Sequence, residues 1–202
     1  MKRIGILGGT FNPFHLGHIF IGQAAAEAYN LDKVLVIPCA VSPFKVGKPD
    51  LLPGEERLEM IRETLEGDPL FEPCDIELRR SGISYAVDTV SALCGRYPGD
   101  MLHFIIGMDS LMGLSRWREV RRLLSLCRMV TVSRPGIPLP RPEDLGFPPE
   151  IAAGLLANVI QGRLCDISSS EIRRRVAQGR PIRYLVSAAV ERRIAENGFY
   201  SD

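Results

Sequence analysis

His15 and His18 are three residues apart, so in a helix their imidazoles share a face. They stand where Gly8-Gly9-Thr10 and Asn12-Pro13 give way to an alanine-rich stretch. That places both in a helix's first turn, where the dipole already favours negative charge. Gly17, between them, has no Cβ and would let a ligand come close to the backbone. Two N–H donors at such a point suit a phosphate that gains charge in a transition state. A metal reading needs a third ligand, but His103 is far away in sequence and no His-Glu-x-x-His pattern is present. Two unrelated histidines remain the alternative that spacing alone leaves open. A second segment, Ile167-Ser168-Ser169-Ser170-Glu171-Ile172-Arg173, contains the capping box Ser168-x-x-Glu171. The same helix start could take a phosphate on serine hydroxyls and free N–H groups, with Arg173 supplying a fixed charged fork. By itself the segment favours the cap.

These residues need elements to position them. Ile4–Leu7, Val34–Ile37 (closed by Pro38), Phe104–Ile106 and Met129–Val132 read as short buried strands, and Phe71–Leu78 as a further one. His15–Tyr29, Glu55–Glu66, Tyr85–Cys94 and about Leu114–Leu126 read as helices. Nearly continuous apolar strands alternating with helices imply a Rossmann-like α/β fold. Its open sheet would be mainly parallel, with helices on both faces and a short C-terminal helical segment. Such sheets bind ligands beyond the carboxyl ends of their strands, where Gly8-Gly9-Thr10 would lie. Neither Gly-x-Gly-x-x-Gly after the first strand nor a Gly-x-x-x-x-Gly-Lys-Ser/Thr loop occurs, so the dinucleotide fingerprint and the P-loop are both disfavoured. The alternative is a Gly-Gly turn serving only chain geometry. Six of the 15 prolines fall between Pro135 and Pro149, which predicts an irregular loop there rather than a domain boundary. Residues 1–202 are expected to form one domain, its C-terminal helices from about residue 168 packing on the same core.

Composition narrows the partners. With 202 residues, 46% hydrophobic, 24% charged and a net charge of +1, the chain has the makeup of a globular domain and no whole-surface attraction for nucleic acid or anionic membrane. Any bound anion must be held by a local site. No apolar run reaches the roughly 18–20 residues of a membrane span, and the N-terminal apolar stretch is interrupted before it resembles a leader. Five widely spaced cysteines without a Cys-x-x-Cys fit a reducing compartment, so a cytoplasmic protein is expected.

Taken together, Gly8-Gly9-Thr10-Phe11-Asn12-Pro13, His15-x-Gly-His18 and Ile167-Ser168-Ser169-x-x-x-Arg173 resemble the two signature segments of the nucleotidylyltransferase superfamily. The closer resemblance is to bacterial nicotinate-nucleotide adenylyltransferases. It extends over nearly the whole chain through Pro38, Pro43-Phe44-Lys45, Ser84-Tyr85, Phe104-Ile105-Ile106-Gly107-x-Asp109-Ser110-Leu111, Trp117, Arg134-Pro135-Gly136 and Asn197-Gly198-Phe199-Tyr200. The resemblance implies transfer of AMP from ATP to nicotinate mononucleotide, with Mg²⁺ carried mainly by phosphates rather than by protein side chains. It implies catalytic roles for His15, His18 and Arg173. It implies ATP contacts at Gly8, Gly9, Thr10, Phe11, Gly107, Asp109, Arg134, Ile167, Ser168 and Ser169. Mononucleotide contacts would fall at Asn12, Lys45, Ser84, Tyr85, Ala86 and Trp117. Two positions depart from the family pattern: Asn12 stands where Asp is usual, and Ala86 where Ser-Tyr-Thr would place a hydroxyl. The loss of that hydroxyl leaves backbone N–H groups to recognise the nicotinate carboxylate.

The acceptor phosphate is ionised at pH 7 and needs no general base, so catalysis is expected to be alignment plus electrostatics. Lys45 would act as a point charge near the incoming phosphate or be an ordinary solvated lysine. Trp117 would stack on the nicotinate ring or fill the core, and Tyr85 could be a packing residue only. Asp109 would accept from ribose hydroxyls or cap a helix. Competing readings are a phosphopantetheine adenylyltransferase, a glycerol-phosphate cytidylyltransferase and a non-catalytic nucleotide sensor. RNA binding through Arg163–Arg193, with eight arginines, is disfavoured by the lack of interleaved aromatics. A homo-oligomer is compatible with all of these.

Overall fold

A strand covered on both faces must be apolar at successive positions, and four of the expected strands are built this way. The computed structural model describes residues 1–42, 51–80, 82–133, 136 and 138–201. Within them lie strands β1 (Arg3–Gly9), β2 (Lys33–Pro38), β3 (Phe71–Pro73), β4 (Met101–Gly107), β5 (Arg128–Ser133) and β6 (Val159–Gln161). They form one sheet in the order β3-β2-β1-β4-β5-β6, every neighbouring pair parallel. The helices are α1 (Leu16–Tyr29), α2 (Gly54–Thr64), α3 (Ala86–Arg96), α4 (Met108–Met112), α5 (Val120–Leu126), α6 (Pro149–Ala157), α7 (Ser169–Ala177) and α8 (Ala188–Asn197).

Period-2 alternation sends Ile4, Ile6, Leu35, Ile37, Leu102, Phe104, Ile106 and Met129 to one face, under α3, α5 and α6. Leu7, Val34, Val36, Ile105, Val130 and Val132 go to the other, under α1 and α2. The C-terminal helices extend this second layer. Ile172 of α7 and Val190 and Ile194 of α8 share a buried cluster with Met60 of α2. Arg193 fastens α8 to α2 through Glu63 at 2.7 Å and Glu56 at 3.2 Å. Among the described residues no helix is long and apolar enough to cross a membrane.

Two expectations need correction. The strand from Phe71 stops at Pro73; Cys74 N–H makes a last bond to Val36 O, and the chain then enters the turn closed by Arg79 N–H on Asp75 O. The single helix expected over Leu114–Leu126 is broken into a 3₁₀ turn (Leu114–Arg116) and α5. Trp117 is extended and Glu119 left-handed at φ +48°, a break that no proline or glycine signals. The short α4, α6 and β6 were not anticipated. Residues 136 and 138–148 are irregular, as expected, apart from a 3₁₀ turn at Pro142–Leu145, whose Leu145 is buried in the core.

Candidate active site

The strand order places β1 and β4 side by side with their connections leaving in opposite directions, which opens a crevice at their carboxyl ends. Gly8 and Gly9 end β1 and Gly107 ends β4 at this crevice. From Gly9 the chain turns sharply: Phe11 is left-handed at φ +48° and the Asn12–Pro13 peptide is cis. The buried Phe11 ring folds back over Gly9, where an added Cβ would come within 2.7 Å of the ring. Gly9 is therefore required by packing.

The turn is held from outside. Thr10 O accepts from Arg57 Nη1 at 2.6 Å, Asn12 O from Arg173 Nη1 at 2.9 Å, and Pro13 O from Ser169 Oγ at 2.9 Å. Asn12 Oδ1 accepts from Tyr200 Oη at 2.7 Å and from Leu52 N–H at 3.2 Å. The two widely separated segments, 12–18 and 167–173, thus meet. Ser168 is the N-cap of α7, accepting from Glu171 N–H at 3.1 Å, as its spacing predicts.

His15 is the N-cap residue of α1 and is only 6% exposed. Burial lowers its pKa from 6.5 to about 4, so the ring is neutral at physiological pH. Its backbone N–H donates to His18 Nδ1 at 3.2 Å, which leaves Nε2 as the proton-bearing nitrogen of a neutral His18. The two rings stack at 3.6 Å, and Phe14 and Phe11 contact His18 at 5.3 and 4.8 Å. The space over Gly17, expected to admit a ligand, is filled by the His15 ring: an added Cβ would lie 3.0 Å from Nδ1. His103 stands beside Tyr29 at the far end of α1, roughly 20 Å along the helix from His15 at 1.5 Å per residue. It is no part of this site.

In front of α1 lies a cleft of about 450 Å³. His15, His18, Gly107, Asp109, Ile167, Ser168 and Ser169 all line it, as do Ser133 and Arg163. Asp109 is exposed in the first turn of α4, whose N-cap is Gly107, so it does not cap that helix. Arg173 is not among the lining residues. A depression of about 510 Å³ between α5 and α6 is slightly larger, but it sits at the amino ends of β4 and β5, away from every group described above.

On the α3 side of the crevice, Phe104 lies beneath Gly8 and meets Trp117 edge-on at 6.0 Å. Trp117 is half-buried against the cluster that includes Tyr85 and Ala86, and the Arg118 guanidinium covers the Tyr85 ring at 4.6 Å. Ser84 Oγ accepts from Ala40 N–H at 3.0 Å and hydrogen-bonds the buried Glu77 carboxylate. Burial raises the Glu77 pKa, opposed by hydrogen bonds from Thr89 and Ser84 and by the Arg80 charge. Ser84, Tyr85 and Ala86 are consecutive, and Arg118 on the Tyr85 ring brings the Trp117 segment beside them. Lys45 and Arg134 lie outside the described residues.

The cytidylyltransferase-like family matches residues 6–175. A Shouchella clausii protein is 41% identical over 202 residues, covering 100% of this chain and 98% of its own length. One from Roseiflexus sp. is 44% identical over 197 residues, covering 98% and 97%. Both carry the name "Probable nicotinate-nucleotide adenylyltransferase". The chain belongs to the nicotinate-nucleotide adenylyltransferase family. Its fold is that of the Plasmodium falciparum nicotinic acid mononucleotide adenylyltransferase complexed with NaAD, at TM-score 0.77 and 16% identity over 99% of this chain and 98% of the other. The same enzyme complexed with APC gives 0.75.

Set against the adenylyltransferase family pattern, the Asn12 departure has a geometric reading. The bonds from Tyr200 Oη and Leu52 N–H use its acceptor oxygen, which carboxamide and carboxylate supply equally. Sequence reasoning did not single out the buried Arg57 and Glu77, nor the cleft positions of Ser133 and Arg163. Arg163 could have been found from Gly162, whose close approach to Val132 (2.6 Å for an added Cβ) marks a strand end beside β5. Arg57 and Glu77 sit among ordinary helix and turn charges and gave no signal.

Proposed function

We propose that this adenylyltransferase moves AMP from ATP to nicotinate mononucleotide, forming deamido-NAD and pyrophosphate. The observation that carries the reading is the meeting of the His15–His18 turn with the Ser168–Arg173 segment at one cleft, in a chain whose full-length relatives bear that name. The acceptor phosphate oxygen would attack the α-phosphorus of ATP, and the bond from the α-phosphorus to the bridging oxygen would break, carrying its electron pair away on pyrophosphate. No enzyme group need be acylated or phosphorylated.

In this reading His18 donates from Nε2 to the phosphate oxygens that gain charge, and neutral His15 fixes its orientation and donates beside it. The amino end of α7, with Ser168 and Ser169, faces the leaving pyrophosphate, and Arg173 supplies positive charge from behind the loop. Gly8, Gly9, Thr10 and Phe11 hold the triphosphate. Gly107 and Asp109 take the ribose, and Ile167 flanks the nucleotide. Trp117, whose edge is fixed by Phe104, would offer its face to the nicotinate ring, with Tyr85 and Ala86 presenting backbone N–H groups to its carboxylate.

Magnesium would arrive as MgATP. The described residues hold no group of three or more His, Cys, Asp or Glu suited to a metal, while Asp109 stands at the cleft. That donor set suits an ion carried by phosphate and water. The five cysteines, all free thiols, support a cytoplasmic location. Pyrophosphate release from MgATP should be compared with nicotinate mononucleotide, nicotinamide mononucleotide and phosphopantetheine as acceptors. The first should be used most efficiently; preference for phosphopantetheine, or release with none of them, refutes the reading.

A further inference from the structure

Arg57 of α2 is 1% exposed, yet no carboxylate contacts it among the described residues. Its three donor nitrogens instead reach three backbone carbonyls. Nε bonds Leu52 O at 3.0 Å, Nη1 bonds Thr10 O at 2.6 Å and Nη2 bonds Cys39 O at 2.7 Å. These carbonyls belong to the loop after β1, the end of β2 and the chain just before α2. One planar fork therefore ties together the segments that surround the crevice. Its other electrostatic neighbours are the Cys39 thiol and the Tyr200 phenol.

Two consequences follow from elementary chemistry. A trans peptide is planar, with N–H opposite C=O, so fixing Thr10 O on Arg57 turns the Phe11 N–H away from the guanidinium. Arg173 and Ser169 hold the carbonyls of Asn12 and Pro13, which leaves this loop's negative ends occupied from outside. Pro13 has no N–H, so the donors this turn can offer an anion are the successive N–H groups of Phe11 and Asn12, with Phe11 left-handed. Secondly, a buried cation compensated only by dipoles is costly, and it gains most from an anion brought close to it.

We propose that Arg57 is a positioning residue for the polyphosphate: it fixes the Thr10–Phe11 peptide, and its charge is matched by the bound phosphates. This rests on the adenylyl-transfer reading for its effect on turnover, but not for its effect on anion binding. The test therefore measures both. Arg57→Met and Arg57→Lys are compared with the wild type for melting temperature, for kcat, and for affinity toward inorganic pyrophosphate by calorimetry. Leu155→Ala, buried at the far end of the sheet, serves as the control for destabilisation alone.

Arg57→Met should lose about 10²-fold in kcat, the scale of a reacting group displaced by about 1 Å. It should also bind pyrophosphate more weakly than Leu155→Ala. Arg57→Lys keeps the charge and loses the fork, so it should retain more pyrophosphate affinity than Arg57→Met while kcat stays low. If Arg57→Met does not fold, Arg57→Lys against Leu155→Ala decides: wild-type kcat and affinity in the lysine variant overturn the proposal. So do losses in either variant no larger than those of the control. A wild type that binds pyrophosphate but turns over no acceptor would sink the functional reading and leave the Arg57 binding result standing.

Discussion

Gly17→Ala should separate turnover from stability. The added Cβ would lie 3.0 Å from His15 Nδ1 and 3.1 Å from Cε1, with Ile167 O at 3.5 Å. Contacts this short require the ring to move by a few tenths of an ångström. The ring has little room to do so, because it is buried and stacked at 3.6 Å on His18. Gly17 does not use left-handed backbone, and alanine is favoured over glycine inside a helix by roughly 0.5–1 kcal/mol. That gain offsets the crowding, so the melting temperature should stay close to wild type. His18, stacked on that ring, should nonetheless be displaced. A misplacement of about 1 Å costs about 10²-fold, so a few tenths should cost on the order of tenfold in kcat. The assay is pyrophosphate release at saturating MgATP and mononucleotide, with calorimetry on the same sample. A folded variant with wild-type kcat refutes the claim that the His15 ring sets the position of His18.

His18→Ala should lose about 10²–10³ in kcat, the scale for removing one donor to a developing oxyanion, with the melting temperature nearly unchanged. Arg173→Lys keeps charge and loses the fork that reaches Asn12 O, so its kcat should fall less than that of Arg173→Ala in the same assay. His15 makes stability depend on acid. Above pH 6.5 the ring is neutral whether folded or unfolded and contributes nothing; between pH 6.5 and about 4 only the unfolded chain takes up the proton. Stability should therefore fall across that window by about 3 kcal/mol at most, at 1.36 kcal/mol per pH unit. Urea midpoints of wild type and His15→Gln between pH 7.5 and 4.5 check this, and parallel declines in the two would refute it.

How far the sequence disclosed this molecule depended on whether a feature was local. β1, β2, β4 and β5 were legible because burial on both faces leaves continuous apolar runs, and the Ser168 cap because its partner is three residues away. β6 has three residues and follows a proline-rich stretch, too short for any period to register. The break at Trp117–Glu119 preserves the apolar count of a helix while altering its path. Gly17 was rightly singled out as a place needing room, but what needs the room is a side chain two residues before it. The meeting of Pro13 with Ser169 spans 156 residues, and only the resemblance of the two motifs pointed to it. Arg57 reads as one more charge on an amphipathic helix until three carbonyls from separate segments are found on it.

The same geometry separates two sources of attraction for a polyanion: the imidazoles that line the cleft, and the guanidiniums of Arg57 and Arg173 bonded behind the turn. Two imidazolium charges 3.6 Å apart would repel by about 5 kcal/mol even at an effective dielectric of about 20, so the stacked pair cannot both be protonated. Burial already withholds the proton from His15 down to about pH 4. On the proposed reading, Arg57 and Arg173 supply positive charge while bonded to the carbonyl side of the turn after β1. Charge that attracts ATP and the acceptor equally in any arrangement lowers KM without raising kcat. Charge fixed behind a loop acts on every bound polyphosphate alike, whereas the His18 N–H acts at one point in space. On the proposed reading, alignment of the α-phosphorus falls to the imidazole donors, and attraction of the polyanion to the arginines that hold the turn before them.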